Sequence, residues 1–398
     1  MTADFNAILS SISVLPKEYI TTGNALGRVI AEPVKARALL PETDVATVDG
    51  YAVRFSDLAD LPVTLTVQGE SSSVRPFTGR LNHASAVKTA AGGRVAKDAD
   101  TVVSMSLVTA DGDTVIVNAP PVFRESVCPA GVDFSPKDIA FTPGTLMSSR
   151  LVGLASAMQL LWLPVVRKPR IAVLAVGNEL AMPGEANATN PITASSLYTL
   201  PASISASCSD PIVLGIASDS VDKVREKIEE AQNCDLLITT GGTSAGAGKL
   251  MNRVLESLSP DVQMLRTELN RNDHMLFTHY KGKPICALPG NPISSSIYFS
   301  LFTLPIIHKM VGRTEAPKRY AILSRSLDEY DTSVAYLHAT LSTDATGASR
   351  IIPVSAQDGF LLTQLATSDC LLIVNQNKNL KKGDLVEYLP LASSVIST

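Results

Sequence analysis

Residues 235–254, DLLITTGGTSAGAGKLMNRV, place an apolar run directly before a loop that is rich in glycine, threonine and serine. The apolar run predicts a buried β-strand, and the residues after the loop predict a helix. Small residues let main-chain amides approach an anion, and the N-terminus of a following helix adds favourable partial charge. Glycines in this pattern are also typical of a tight strand-to-helix turn, so both interpretations stay open.

The loop does not match the P-loop of nucleotide triphosphatases. A P-loop needs a glycine five residues before Gly248, where this chain has Thr243. It also needs serine or threonine after the lysine, where this chain has Leu250. We therefore exclude hydrolysis of nucleotide triphosphates.

The strand before this loop is one of four apolar runs that alternate with helical patterns between residues 169 and 316. The four runs are RIAVLAVG (170–177), PIVLGIAS (211–218), DLLITTGG (235–242) and KPICALPG (283–290). Such alternation predicts a parallel, doubly wound α/β domain. Because ligands bind at the carboxyl ends of the strands in these sheets, the loops VGNEL, TTGGTSAGAG and LPGNP are expected to cluster at one edge, here called the rim.

The flanking segments have different patterns. Apolar spacing predicts one helix near the N-terminus, a second around Ala25–Ile30, and a third in MSSRLVGLASAMQLL (147–161) that Pro164 ends. Short alternating segments elsewhere predict strands. The predicted domains are an elongated N-terminal domain (1–51 with 126–168), a small β-rich domain (52–125), the α/β domain (169–316) and a C-terminal β-barrel domain (317–398).

Composition excludes several classes of function. The net charge of −4 gives no reason to expect nucleic-acid binding. The five cysteines form no CxxC pair, which argues against a disulfide framework and a structural zinc site and fits a reducing cytosol. The N-terminus does not resemble a signal peptide, and no apolar run is long enough to span a membrane. We expect a cytoplasmic protein.

Four motifs occur in a characteristic order: TVDGYAVR (47–54), AVGNEL (175–180), TTGGTSAG (239–246) and ALPGNPISS (287–295). Together they resemble the molybdopterin molybdenumtransferase family, which includes MoeA and the gephyrin E domain, over essentially the whole chain. The resemblance implies a homodimer whose MogA-like α/β domain binds adenylylated molybdopterin, with the site at the cleft between subunits. It also implies that molybdate replaces the adenylate, with Mg²⁺ present and AMP released.

The resemblance also implies roles for individual residues. The predicted catalytic residues are Asp49, Glu179 and Lys249. The predicted metal ligands are Asp49, Asp133 and Glu179. Binding of the pterin nucleotide falls on a larger set in and beside the glycine-bearing loops, namely Thr240, Gly241, Gly242, Thr243, Ser244, Gly246, Pro289, Gly290, Asn291, Pro292, Asn190 and Arg271.

The chain departs from the family at several of these positions. Lys249 stands where the family has an aspartate expected to bind the metal, Asn178 replaces the aspartate of GDEL, and Ala188 falls on the aspartate of YDSN. A lysine-rich family stretch falls on residues 270–274, where Arg271 is the firm cation. In one interpretation Lys249 neutralises phosphate directly and Mg²⁺ binding is weakened or replaced. Alternatively, the chain is a degenerate paralogue that acts as a cofactor-binding or scaffold protein, or Lys249 is a solvated residue without a role.

Overall fold

The computed structural model describes residues 3–119, 121–185, 192–243, 248–258, 265–270, 273–314, 317–327, 334–354, 362–375 and 380–391. Within these ranges the strands form two six-stranded sheets, a closed five-stranded barrel and four two-stranded ribbons. No helix in the described part of the chain is long and apolar enough to cross a membrane.

The first segment contains one helix and three short strands: α1 (Ala3–Ser11), β1 (Lys17–Thr21), β2 (Val34–Lys35) and β3 (Val45–Ala46). The predicted second helix around Ala25–Ile30 is wrong, because Val29 and Ile30 make isolated β-bridges to Leu146 and Val165. Gly27 lies in this stretch at φ +73°, in the left-handed region, and so interrupts a right-handed helix.

A small mixed sheet follows, as the alternating pattern predicted. Its strands have the order β7-β4-β6-β5-β9-β8, and all neighbours are antiparallel except β5 and β6. The strands are β4 (Gly50–Val53), β5 (Val63–Ser71), β6 (Ser85–Thr89), β7 (Thr101–Ser104), β8 (Val108–Asp111) and β9 (Thr114–Val117).

The chain then returns to the first segment through β10 (Val127–Cys128), β11 (Ile139–Phe141), α2 (Ser149–Ala157) and β12 (Trp162–Val166). These strands pair antiparallel with β3, β2 and β1 respectively. Pro164 does not end the predicted helix. The helix ends at Ala157, Gln159 adopts φ +59°, and Pro164 lies inside β12 opposite Tyr19.

The α/β domain contains most of the helices in the described ranges. Its elements are β13 (Arg170–Val176), β14 (Leu180–Ala181), β15 (Ile192–Thr193), α3 (Ser196–Ala206), β16 (Asp210–Ala217), α4 (Val221–Glu230), β17 (Leu236–Thr240), α5 (Gly248–Leu258), β18 (Leu265–Asn270), β19 (Asp273–Tyr280), β20 (Lys283–Leu288), α6 (Pro292–Tyr298) and α7 (Leu304–Met310). A π-helical turn, Phe299–Thr303, joins α6 to α7.

The main sheet of this domain has the order β16-β13-β17-β20-β19-β18. The four predicted strands are parallel to one another, whereas β19 and β18 run antiparallel at one edge and were not predicted. The parallel strands are apolar because helices cover both faces. Residues of α1, α3, α6 and α7 share one core with the sheet, and residues of α4 and α5 share the other.

An ion pair fastens the linker after β12 to this sheet. The guanidinium of Arg167 donates two hydrogen bonds, of 2.6 and 2.7 Å, to the carboxylate of Asp235, which also accepts one from the main-chain nitrogen of Arg170. Burial alone would raise the pKa of Asp235, but these hydrogen bonds outweigh it and hold the pKa below its usual value. The start of β13 is therefore fixed beside the start of β17.

The C-terminal region is a small closed barrel of order β21-β23-β22-β24-β25. Its elements are β21 (Arg319–Leu323), β22 (Val334–Thr343), β23 (Ser349–Pro353), α8 (Leu362–Thr367), β24 (Cys370–Asn375) and β25 (Leu385–Pro390). The β-barrel predicted for the C-terminal region is present, and the predicted fold class is confirmed. The domain boundaries stay a prediction.

Candidate functional site at the rim of the main sheet

Two of the predicted loops touch at the carboxyl ends of neighbouring parallel strands. β17 and β20 pair with Thr240 opposite Leu288, and the main-chain nitrogen of Gly241 donates a 3.2 Å hydrogen bond to the carbonyl oxygen of Leu288. A Cβ atom added to Gly290 would lie 3.2 Å from the Cα atom of Gly241. The TTGG and LPGNP loops therefore share one surface.

The third loop joins them through Gly241. A Cβ atom at Gly241 would lie 2.2 Å from the carbonyl oxygen of Val176, the last residue of β13, and Gly241 has φ +96°. Only glycine combines this backbone conformation with so close an approach. Since Val176 immediately precedes the VGNEL loop residues Gly177 and Asn178, the predicted clustering of three loops at one rim is confirmed.

The end of β16 extends the rim on its far side. The main-chain nitrogen of Gly177 donates to the carbonyl oxygen of Ala217 over 3.1 Å. The amide oxygen of Asn178 accepts a 3.0 Å hydrogen bond from the main-chain nitrogen of Asp219, whose carboxylate accepts from the main-chain nitrogen of Asn178 at 3.4 Å. Both side chains are exposed.

Buried hydroxyl groups connect the glycine loop to neighbouring elements of the domain. The hydroxyl of Thr240 lies 3.1 Å from that of Ser196 at the start of α3, and Thr243 Oγ1 lies 3.5 Å from the carbonyl oxygen of Leu288. Both threonines are buried. Their side chains are therefore occupied inside the protein, and these two positions offer a ligand the main chain instead. Ser196 was not among the predicted site residues.

The LPGNP loop is stiffened by a helix cap. Oδ1 of Asn291 accepts hydrogen bonds from the main-chain nitrogens of Ile293 (2.9 Å) and Ser294 (3.2 Å), and Pro292 is the first residue of α6. Pro289 is buried and Gly290 is exposed. Gly290 is consequently the part of this loop that presents its backbone to solvent.

Comparisons with known proteins agree with this arrangement. Residues 2–158 match the MoeA N-terminal region (domain I and II), residues 172–309 match the probable molybdopterin binding domain, and residues 320–391 match the MoeA C-terminal region (domain IV). The chain belongs to the MoeA family.

Individual relatives resemble this family member over nearly its whole length. The molybdopterin molybdenumtransferase of Haemophilus influenzae is 25% identical over 379 residues, covering 94% of this chain and 93% of the relative. Molybdopterin molybdenumtransferase 1 of Mycobacterium tuberculosis is 26% identical over 418 residues, covering 97% of both. A crystal structure of the molybdopterin biosynthesis MoeA protein from Pyrococcus horikoshii OT3 has a TM-score of 0.81 at 23% identity, covering 97% of this chain and 98% of that one, so the two share a fold.

Two predicted catalytic residues of this MoeA family member lie in rim elements. Glu179 is exposed, and its carboxylate oxygens lie 2.6 and 2.8 Å from where a Cβ atom on Gly177 would be, so the carboxylate folds back over that glycine. Lys249 is the second residue of α5, whose first turn packs on the glycine loop because a Cβ atom on Gly242 would lie 3.1 Å from Cγ of Met251. The Lys249 side chain lies outside the described atoms.

Several other predicted positions cannot be located at the rim. Ser244, Gly246, Asn190, Ala188 and Arg271 all lie outside the described residues. Their roles stay predictions.

Asp49 and Asp133 are held in other parts of the chain. Oδ1 of Asp49 accepts a 2.8 Å hydrogen bond from the main-chain nitrogen of Ala91, in the turn after β6. The main-chain nitrogen of Asp133 donates to the carbonyl oxygen of Leu40 over 3.1 Å. Among the described residues, no three histidine, cysteine, aspartate or glutamate side chains are grouped to hold a metal ion. The metal site predicted from Asp49, Asp133 and Glu179 at the cleft between subunits therefore stays a prediction.

Two further features lie apart from the rim chemistry. Burial raises the pKa of the Cys286 thiol in β20 to about 12, so it stays protonated and serves as a core residue. An open depression of about 500 Å³ lies between β1, α2 and β12, and its lining includes Thr21, Gln159, Leu161 and Trp162. It has no ionisable group in its lining, which makes it a poor receptor for a phosphorylated substrate.

Proposed function

We propose that this chain is a molybdopterin molybdenumtransferase that acts in molybdenum cofactor biosynthesis. It replaces the adenylate of adenylylated molybdopterin by molybdate and releases AMP. The observation that carries the proposal is the convergence of Val176, Gly241 and Gly290 at one rim, where loops from three parallel strands touch. This is the edge of a doubly wound sheet at which ligands bind.

The chemistry of the substrate fits this rim. Adenylylated molybdopterin carries a pyrophosphate, and Gly242 and Gly290 have no side chains that would keep phosphate away from the main chain. The N-terminus of α5 packs against Gly242 and adds favourable partial charge. Since the net charge of the chain is −4, phosphate is held by these local features and not by a global field.

The rim fits a divalent cation less well than it fits a phosphate. The described carboxylates of one chain form no metal site, so we derive no step through Mg²⁺. In our proposal the cation nearest the substrate phosphates is Lys249, which the backbone places in the first turn of α5. An ammonium group neutralises a phosphate as a point charge. It therefore supports substrate binding and the departure of AMP without a bound metal.

The proposal includes a cytoplasmic homodimer in which a second copy completes the cleft. The positions of Asp49 and Asp133 support a shared cleft. Both residues are exposed, and both are hydrogen-bonded to parts of the chain other than the rim. We expect sedimentation equilibrium at micromolar concentration to give twice the chain mass. A monomer at all concentrations up to about 100-fold higher would contradict the shared cleft. It would not contradict the ligand site proposed at the rim.

The test of function is release of AMP. We expect purified protein to release AMP from adenylylated molybdopterin when molybdate is added, with one AMP formed for each molybdenum inserted. Sulfate in place of molybdate is the control, because it is also a tetrahedral dianion but cannot be retained by a dithiolene. Binding of the substrate without AMP release would indicate the scaffold alternative, which the transferase names of the relatives do not favour.

A further inference from the structure

Asn178 and Asp219 form a reciprocal pair between two loops of the rim. The side chain of each residue accepts a hydrogen bond from the main chain of the other, at 3.0 Å for the amide oxygen of Asn178 and 3.4 Å for the carboxylate of Asp219. Such a pair fixes one loop against another, because the side-chain oxygen of each residue accepts from a main-chain N–H group of the other loop.

The pair lies at the middle of a loop whose ends are already fastened. At one end the nitrogen of Gly177 donates to Ala217, and at the other the carbonyl oxygen of Glu179 accepts a 2.8 Å hydrogen bond from the nitrogen of Ile192. Asn178 is the residue between these two anchors and adjoins Glu179. The direction of the Glu179 carboxylate, which folds over Gly177, therefore depends on how residue 178 is held.

We infer that Asp219 is a positioning residue for Glu179 and acts through Asn178. The inference rests on the proposed function, in which Glu179 takes part in the transfer reaction. Asp219 supplies an acceptor in a fixed place, and its main-chain nitrogen supplies the donor that orients the Asn178 side chain.

The identity of residue 178 makes this arrangement particular to this chain. A neutral amide oxygen accepts from Asp219 without placing a second carboxylate beside the first. An aspartate at position 178, as the family resemblance would give, would bring a second charged carboxylate to the pair, whereas asparagine supplies the same acceptor without a charge. The substitution at 178 and the role of Asp219 as a hydrogen-bond acceptor are therefore consistent with each other.

The experiment compares four variants and one matched control by steady-state AMP release. Asp219→Ala removes the acceptor and is expected to lower kcat about tenfold with a smaller change in KM, since misplacement of a catalytic group costs rate. Asp219→Asn keeps an acceptor oxygen and should stay within about threefold of wild type. Asn178→Ala removes the other hydrogen bond of the pair and should also lower kcat. The double alanine variant loses both hydrogen bonds and should have a lower kcat than either single variant. Asp222→Ala, at an exposed aspartate in the first turn of α4, is the matched control and should leave kcat unchanged.

The outcomes separate this inference from the proposed function. An equal loss of kcat in Asp219→Asn and Asp219→Ala would overturn the inference, because Asp219 would then act through its charge. An unchanged kcat in Asn178→Ala would overturn it as well, because Asp219 would then not act through Asn178. If wild type releases no AMP, the proposed function fails, and hydrogen exchange still tests the pair. We expect the main-chain amide of Asn178 to exchange about tenfold faster in Asp219→Ala and at the wild-type rate in Asp219→Asn, and an unchanged rate in both would refute it.

Discussion

Replacement of Gly241 by alanine is expected to destabilise the α/β domain by about 4 kcal/mol and to abolish AMP release. An alanine at φ +96° costs about 1–2 kcal/mol for the left-handed backbone alone. Its Cβ atom would also lie 2.2 Å from the carbonyl oxygen of Val176, inside the buried sheet, and forcing these strands apart adds about 1–3 kcal/mol. Urea unfolding followed by circular dichroism measures the change.

Gly184 provides a matched control in the same domain. It has φ +86°, but a Cβ atom there would meet nothing within 4 Å. Gly184→Ala therefore carries the backbone cost without the clash and should lower stability by about 1 kcal/mol. If both variants unfold at the same urea concentration, the contact between the TTGG loop and β13 does not constrain residue 241, and the rim geometry proposed for the site is wrong.

The convergence of the loops followed from the sequence because it depends on topology and not on side-chain detail. A buried apolar run such as residues 170–176 has no exposed face, which indicates a parallel strand covered by helices on both sides. The carboxyl ends of parallel strands lie at one edge, so three loops that follow such strands must share it. The five strands of the C-terminal barrel were likewise recognisable from their short alternating segments.

Other features depend on contacts between distant residues and could not be read from local pattern. The stretch Ala25–Ile30 has helical spacing of apolar residues, but its partners are Leu146 and Val165, more than 100 positions away, and pairing with them overrides local propensity. The strands β18 and β19 were also missed. β18 is the edge strand, where the apolar run of a buried strand is not required, and β19 is buried but polar residues His274 and Thr278 flank its short apolar run.

Two contacts in the candidate site also join residues that are distant in sequence. Ser196 supports Thr240 across 44 positions, and Asp219 supports Asn178 across 41. The residue type alone does not indicate such a role, because serines and aspartates near helix starts usually act as caps. The predicted metal ligands lie in different parts of the chain. Asp49 directly precedes β4 of the small mixed sheet and Glu179 directly precedes β14, so a metal site that contains both stays a prediction.

Lys249→Asp is expected to make AMP release depend strongly on Mg²⁺. The substitution restores the carboxylate that the family resemblance gives at this position and changes the formal charge near the substrate phosphates by about two units. When the charges are partly exposed to solvent, each unit of charge changes the interaction free energy with the phosphates by about 1–2 kcal/mol. AMP release without added Mg²⁺ should therefore fall roughly 100-fold. Millimolar Mg²⁺ should recover a large part of this loss in the variant, because the new carboxylate offers the oxygen ligand that Mg²⁺ prefers. It should change the wild-type rate less than threefold.

Two further variants separate the loss of a cation from the gain of a ligand. Lys249→Gln removes the cation without supplying a carboxylate, so its rate should fall about tenfold and Mg²⁺ should not restore it. Lys227→Asp makes the same charge change in the last turn of α4, at the opposite end of that helix from the rim, and should leave both the rate and the Mg²⁺ titration unchanged. The proposal for Lys249 is refuted if Lys249→Asp and wild type give the same Mg²⁺ titration, since residue 249 then lies out of reach of the phosphates. A strong Mg²⁺ requirement in wild type would also refute it, because a metal site would then be completed by residues beyond the described part of one chain.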